Sequence, residues 1–344
     1  MRLLIITQKV DKEDPILGFF HNWILELSKK FEKISVICLE KGNYNLPQNV
    51  RVFSLGKESG RSKIKYVNNF LNLILGLHKE YDSVFVHMNQ EYILLGGFIW
   101  KILRKKIYFW RNHQYGNLLT QIAIWFSNKV FYTSKFAFVT RYKKASVMPV
   151  GVDIESFKVL KIERLKNSIL FLGRIGTIKK PDILIEALDI LNKKRIDFNC
   201  DFYGDPQSKD EEYYNFLKNK IKEFGLNNRV NFYKAVPNYE TPKIYNEHEI
   251  FVNLTPTGSF DKTILEAAAC GCIPIIANES LSGEIDKRMI LENDKPESVA
   301  KTIEFWLNVS NEERVEASKK LQKYVLENHS LSALIERLCI TIKK

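Results

Sequence analysis

Short apolar runs alternate with amphipathic stretches along the whole chain. In the first half, runs rich in β-branched and aromatic residues predict strands at Arg2–Thr7, Ile34–Leu39, Val50–Leu55, Ser83–His87, Lys106–Trp110, Val130–Ser134 and Ala145–Val150. Between them, apolar positions at helical spacing predict helices at Gly18–Phe31, Lys63–Lys79, Tyr92–Arg104 and Asn117–Ser127. The segment Met148-Pro149-Val150-Gly151-Val152-Asp153 breaks the pattern, and a charged stretch follows to Lys166. The alternation then resumes, with strands expected at Ser168–Gly173, Asn199–Tyr203, Arg229–Tyr233, Glu249–Leu254, Ile273–Ala277 and Arg288–Leu291. Helices are expected at Pro181–Lys194, Asp210–Phe224, Thr241–Asn246, Lys262–Cys270, Pro296–Leu307, Glu312–Glu327 and Leu331–Lys343. Strands separated by helices of this length form βαβ units and parallel sheets. The expected fold class is therefore α/β, with two doubly wound Rossmann-like domains facing each other across a cleft. Ligands bind such sheets at the carboxyl ends of the strands. The domains are expected at 1–155 and 156–328, and the closing helix at 329–344 is expected to pack back toward the first.

The stretch Phe251 to Ile276 concentrates the most unusual features. An apolar run ends in a polar loop with Pro256 and Gly258, and a helix-prone segment follows with one acid, Glu266. Small residues come next (Ala267, Ala268, Ala269, Gly271), and Pro274 opens another apolar run. This reads as strand–loop–helix–strand. The loop and helix start offer bare backbone N–H groups that suit an anion such as phosphate, and the small residues let the helix lie close to a sheet.

Composition narrows the class. At 344 residues, with 45% apolar and 27% charged positions, the chain is that of a two-domain globular protein. Charged and polar residues interrupt the apolar stretches, so no transmembrane helix is expected. The opening MRLLIITQK is a strand pattern too short for a signal peptide. Five scattered cysteines, of which Cys270 and Cys272 have no second pair, point to reduced thiols in a cytoplasmic protein rather than a zinc site. The net charge of +12 is one-sided: residues 1–150 carry 23 Lys and Arg against 10 Asp and Glu, while the remainder carries 29 against 30. The first half is then a candidate to meet an anionic partner, either nucleic acid or an anionic membrane surface, with a merely solvated basic face as the alternative. The stretches Ile99–Lys106 and Lys63–Leu77 mix aromatic, aliphatic and basic residues as lipid-lying helices do. Helices packed on a sheet with basic outer faces would read the same way.

At the end of the first strand of the second half, Gly173 and Arg174 are followed five residues later by Lys179. Arg offers a planar fork for phosphate oxygens and Lys a point charge. A pyrophosphate held by Arg174, Lys179 and the helix start near Lys262 is chemically coherent, although each residue alone fits a solvated loop.

Taken together, these residues resemble the retaining glycosyltransferases of family 4, which have the two-domain GT-B fold, and the resemblance covers nearly the whole chain. It rests on Gly173, Arg174 and Lys179; on the run from Leu265 to Pro274, where Ala268 stands for the usual Met; and on Pro149, Gly151, Val152, Asp153 and Phe157 in the linker. The resemblance implies that Arg174 and Lys179, beside Gly173, bind the diphosphate of a nucleotide-sugar donor. Glu266 would accept from the ribose hydroxyls, the backbone of Gly258, Ser259, Phe260 and Asp261 would contact the sugar and distal phosphate, and Lys262 would mark the helix start. The Val236–Pro237 turn would lie near the base. His113, in Trp110-Arg111-Asn112-His113 after a strand, matches a family histidine near the transferred sugar. Gly18 would let backbone approach the diphosphate, though the usual paired glycines are absent. His87 is a second histidine candidate, with a structural strand end as the alternative. His21 and His78 read as helix-surface residues.

One position departs from the family pattern. The first Glu of Glu-x7-Glu falls at Gly258. A subset of similar proteins reads Thr-Gly-Ser-(Leu/Phe)-Asp-Lys here, as Thr257 to Lys262 do. A different sugar contact, a role passed to Asp261, and a weak or inactive enzyme all remain open. Asp261 has a plainer role too, as an acid favourable to its own helix.

The chain contains no Asp-x-Asp and no Gly-x-Gly-x-x-Gly fingerprint. No metal ligand set and no cofactor are expected, the nucleotide sugar being a substrate, and a dehydrogenase is disfavoured. The expected activity is retaining, metal-independent, hexosyltransferase-like sugar transfer from a nucleotide-diphosphate sugar to a glycan or lipid-linked acceptor, in surface polysaccharide or glycoconjugate synthesis. The alternative is a non-catalytic nucleotide-sugar-binding or interaction protein of the same fold. The expected location is cytoplasmic and peripheral at the inner face of the membrane, with no nucleic-acid partner.

Overall fold

The computed structural model describes residues 1–60, 62–258 and 260–344. The chain forms two compact units, Met1–Gly151 with Leu331–Lys344, and Val152–Ser330. The junctions lie a few residues from the 155/156 and 328/329 boundaries read from the sequence.

The first unit holds strands β1 (Arg2–Val10), β2 (Lys33–Lys41), β3 (Val50–Ser54), β4 (Ser83–His87), β5 (Lys106–Trp110), β6 (Lys129–Tyr132) and β7 (Ala145–Val147). They form one parallel sheet in the order β3-β2-β1-β4-β5-β6-β7. Successive strand side chains point to opposite faces. Leu3 and Ile5 of β1 therefore enter a core with helices α1 (Phe19–Ser28) and α11 (Leu331–Lys343). Leu4 and Ile6 enter the other core, with helices α2 (Lys63–Gly76), α3 (Glu91–Ile102) and α4 (Leu118–Phe126). Both faces are covered, which explains why the strands read as continuous apolar runs rather than alternating ones. His21 departs from its expected place on a helix surface: it is buried, and its Nε2 accepts the Asn45 N–H at 3.1 Å.

The second unit holds β8 (Ser168–Leu172), β9 (Asn199–Tyr203), β10 (Val230–Tyr233), β11 (Ile250–Asn253) and β12 (Ile273–Ile276), parallel and in the order β10-β9-β8-β11-β12. Helices α5 (Pro181–Lys193), α6 (Glu211–Glu223), α7 (Thr241–Glu247), α8 (Lys262–Ala269), α9 (Pro296–Asn308) and α10 (Asn311–His329) surround it. The small residues of α8 serve their expected purpose. Ala267, Ala268 and Ala269 are buried where the helix packs on β11, β12, α7 and α10. The carbonyls at its end are taken up by Arg164, which donates to Cys270 O at 2.6 Å, and by Ser318, which donates to Gly271 O at 3.0 Å.

Arg288–Leu291 is not the strand that its apolar character suggests. Lys287–Met289 is a 3-10 turn, and Ile290 makes only an isolated bridge to Ile276. The reason is local. Asp286 caps the turn by accepting from Arg288 N at 2.9 Å, and Arg288 also pairs with Asp286 and Glu313, which pulls the backbone off the sheet edge.

Candidate functional site

In the second sheet the chain starts at β8 and builds outward first through β9 and β10, then through β11 and β12. Neighbouring loops after β8 and β11 therefore leave in opposite directions, opening a crevice at their carboxyl ends. The loop after β8 carries Gly173, Arg174 and Lys179; the loop after β11 carries Thr255, Gly258, Phe260 and Asp261. Sequence-distant candidates thus gather at one edge because of strand order.

Asp261 is the hub of that edge. Its carboxylate caps α8, accepting from Thr263 N at 3.3 Å and Thr263 Oγ1 at 2.8 Å. It also accepts from Asn253 Nδ2 at 2.9 Å and Thr255 Oγ1 at 3.1 Å, and it pairs with the Lys179 ammonium. Lys179 in turn donates to Thr255 Oγ1 at 3.0 Å. Burial pushes the Asp261 carboxyl up, but the Lys179 charge and hydrogen bond, with Asn253 and Thr263, outweigh it and hold it well below the usual range.

One turn into α8 sits Glu266, only 2% exposed. Its Oε1 lies 3.5 Å from Lys262 Nζ and accepts from Asn238 Nδ2 at 3.3 Å. Burial pushes the Glu266 carboxyl up, only partly offset by Lys262, while burial lowers the Lys262 ammonium against the pull of Glu266 and Asp153. Asn238 follows the half-buried Val236–Pro237 turn, so that turn is brought beside Glu266. Arg174 is exposed, and among the described residues no hydrogen bond or ion pair holds its guanidinium. Phe260 faces His329, with ring centroids 5.9 Å apart, and Ser259 lies outside the described residues.

Asn238, Asn253, Thr255 and Thr263 escaped the sequence reading, since a polar residue in a loop gives no signal until its partner is known. Gly204 escaped it as well. A Cβ there would lie 1.9 Å from Gly173 O, so only glycine lets the β9 end pass beneath the backbone that carries Arg174. Gly258 has φ +141°, a backbone conformation that side chains with a Cβ rarely adopt.

The remaining candidates lie in the first unit. Gly18 precedes α1, and a Cβ there would lie 2.5 Å from Asp14 O, so its own loop accounts for the glycine. His113 is exposed after β5, and its Nδ1 accepts the Tyr115 N–H at 3.0 Å. His87 is buried, stacked on Phe20 at 4.1 Å and 3.3 Å from Thr7 Oγ1, which suits a structural strand end.

A cavity of about 550 Å³ lies between the 284–289 segment and α10. Most of its charges are mutually paired (Arg288 with Asp286 and Glu313, Lys320 with Glu316), and Glu284 accepts the Tyr324 O–H, so it leaves little for a ligand. Among the described residues no group of three or more His, Cys, Asp or Glu could hold a metal ion.

Residues 152–324 match the family model described as glycosyl transferases group 1. Among curated proteins, the chain is 28% identical over 147 residues to D-inositol 3-phosphate glycosyltransferase of Frankia alni, covering 39% of this chain and 36% of that one. It is 29% identical over 111 residues to mannosylfructose-phosphate synthase of Agrobacterium fabrum, covering 31% and 24%. The chain thus spans only about a quarter to a third of the length of these relatives. Among solved structures, Anabaena HepE in complex with UDP-glucose matches with a TM-score of 0.80 at 15% identity, covering 100% of this chain and 99% of that one, a likeness of fold.

Proposed function

The chain belongs to the group 1 glycosyl transferases, and we propose that it moves a sugar from a nucleoside-diphosphate donor to a glycan or lipid-linked acceptor, with retention of anomeric configuration and without a metal ion. One observation carries the reading. Lys179 is joined to the start of α8, the helix that carries the buried Glu266, at the crevice between the β8 and β11 loops, and Arg174 is exposed on the β8 loop.

The chemistry fits that convergence. Breaking the bond to the sugar leaves one additional negative charge on the departing nucleoside diphosphate, and stabilising it is the main catalytic task. The Arg174 fork, the Lys179 ammonium and the backbone N–H groups opening α8 supply positive potential there. Glu266, held by Asn238 and Lys262, is assigned to accept from ribose hydroxyls, and the Val236–Pro237 turn is assigned to the base. The departing phosphate helps to deprotonate the acceptor on the same face of the sugar, so no double-displacement carboxylate is required. His113 is assigned to the transferred sugar as a hydrogen-bond donor. The UDP-glucose bound by HepE supports UDP-sugars as the first donors to try. The acceptor is assigned to surface polysaccharide or glycoconjugate synthesis at the cytoplasmic face of a membrane. Among the described residues no helix is long and apolar enough to cross one.

The test is incubation with a panel of nucleotide sugars, reading nucleotide release with and without acceptor. Transfer that survives Arg174→Ala and Glu266→Ala unchanged would overturn the donor site. Gly258 favours a second reading, a non-catalytic nucleotide-sugar binder, because the family carboxylate is missing at that point. Donor binding with no turnover on any acceptor extract would select it.

A further inference from the structure

Helices α3 and α4 are consecutive crossovers between β4, β5 and β6, which are neighbours in that order in the sheet. Right-handed crossovers advancing in one direction lie on the same face. The two helices accordingly share one core, and Gly97 of α3 is set against the Phe126 ring of α4. Their inner faces are buried through Ile93, Trp100, Ala123 and Ile124. Their outer faces are not polar, as a solvated helix would be. On α3, Leu95, Phe98 and Ile102 are 38%, 66% and 65% exposed; on α4, Leu118, Ile122 and Trp125 are 69%, 36% and 72% exposed. Each set recurs at three- and four-residue spacing, so each is a single stripe along its helix. Two adjacent apolar stripes form a patch, which on a soluble surface marks an interaction site.

The charge around the patch is equally one-sided. From residue 92 to residue 152 there are ten Lys and Arg and no Asp or Glu. Lys101, Arg104, Lys129 and Lys143 are exposed, and among the described residues none of them has an ion-pair partner. Beside Trp125 an open groove of about 370 Å³ runs between Ile122, Ile124, Tyr142 and Lys144.

We infer that the α3–α4 face docks on an anionic lipid bilayer, with the two apolar stripes entering the interface and the surrounding cations meeting lipid phosphates. Aliphatic residues with a Trp and a Phe amid Lys and Arg are the composition of an interfacial helix surface. A second copy of the chain is disfavoured by charge, since a symmetric contact would set Lys101, Arg104, Lys129 and Lys143 against like charges. The inference sharpens the peripheral location proposed above by fixing the face, and it moves the contact from α2 to α4. Vesicle binding is read without any transfer reaction, so failure of either reading leaves the other standing.

The test uses the full chain and an intrinsic probe. Of the five tryptophans, Trp23, Trp100, Trp110 and Trp306 are buried and Trp125 is exposed. Adding vesicles of phosphatidylcholine with phosphatidylglycerol should shift the emission to the blue, and brominated lipids should quench it. Phosphatidylcholine alone should do far less, and Trp125→Phe should abolish the response. Lys101→Glu with Arg104→Glu should lower partitioning by at least tenfold, since each basic residue near an anionic surface contributes roughly fivefold. Phe98→Ser with Trp125→Ser should also release the protein, while turnover with a water-soluble acceptor stays unchanged. Binding without quenching of Trp125, or co-sedimentation with vesicles as complete for the Lys101→Glu with Arg104→Glu variant or the Phe98→Ser with Trp125→Ser variant as for the wild type, would overturn the inference. So would self-association that shields Trp125 in the absence of lipid, or selective capture of an acidic protein with no affinity for vesicles.

Discussion

The ammonium of Lys179 and the carboxylate of Asp261 are paired across 82 residues of chain, joining the loop after β8 to the cap of α8. Asp261 holds four further hydrogen bonds from three side chains and one backbone N–H, so the ammonium is presented from a fixed point. On the proposed function, a donor diphosphate would share Lys179 with this acid. The pair is thus a structural joint between the β8 loop and the start of α8.

Removing Lys179 should then affect stability as well as activity. Lys179→Ala leaves a largely buried carboxylate without its cation, which costs about 3 kcal/mol. Adding Asp261→Asn should recover part of that loss. Urea unfolding of both single variants and the double variant measures the coupling; strict additivity would show that the pair does not interact.

Arg174 should behave differently. It is exposed and unpaired among the described residues, so Arg174→Ala should leave stability within about 0.5 kcal/mol. Turnover should nevertheless fall by about 100- to 1000-fold if the guanidinium meets the leaving diphosphate. Glu266→Ala should instead raise the donor KM about 10- to 100-fold through lost charged hydrogen bonds. Steady-state kinetics with the active nucleotide sugar separates the two.

Acid should weaken the joint in a defined window. The folded Asp261 carboxyl is held well below its ordinary value, so its stabilising contribution is complete above the unfolded value of about 3.9. The contribution is lost as pH falls from there through the depressed folded value. Wild-type stability should decline below about pH 4 more steeply than that of Asp261→Asn, and the two should converge. Denaturant unfolding from pH 7 to pH 2 checks the sign; parallel curves would refute it.

Restoring the family carboxylate should not restore a better enzyme. Gly258→Glu places a side chain at φ +141°, which costs about 1–3 kcal/mol. Gly204→Ala is harsher, because its Cβ must push Gly173 and the attached Arg174 aside. Both variants should melt earlier, and Gly204→Ala should also lose donor affinity. A Gly258→Glu protein with higher transfer and an unchanged melting temperature would contradict this account.

Much of this protein was legible from residue order alone. Local apolar periodicity determined nearly every strand and helix, because a segment's own side chains decide which of its faces can be buried. The spacing of Gly173, Arg174 and Lys179, and the run from Leu265 to Pro274, singled out a loop and a helix that the fold joins through Lys179 and Asp261. Only the tertiary structure decided who meets whom. Strand order put the β8 and β11 loops side by side, and so joined Lys179 to Asp261 and Asn238 to Glu266. The tertiary fold also buried His21 and His87 and required glycine at Gly204. Those outcomes depend on contacts between residues far apart in the chain, and no local pattern encodes a partner eighty residues away.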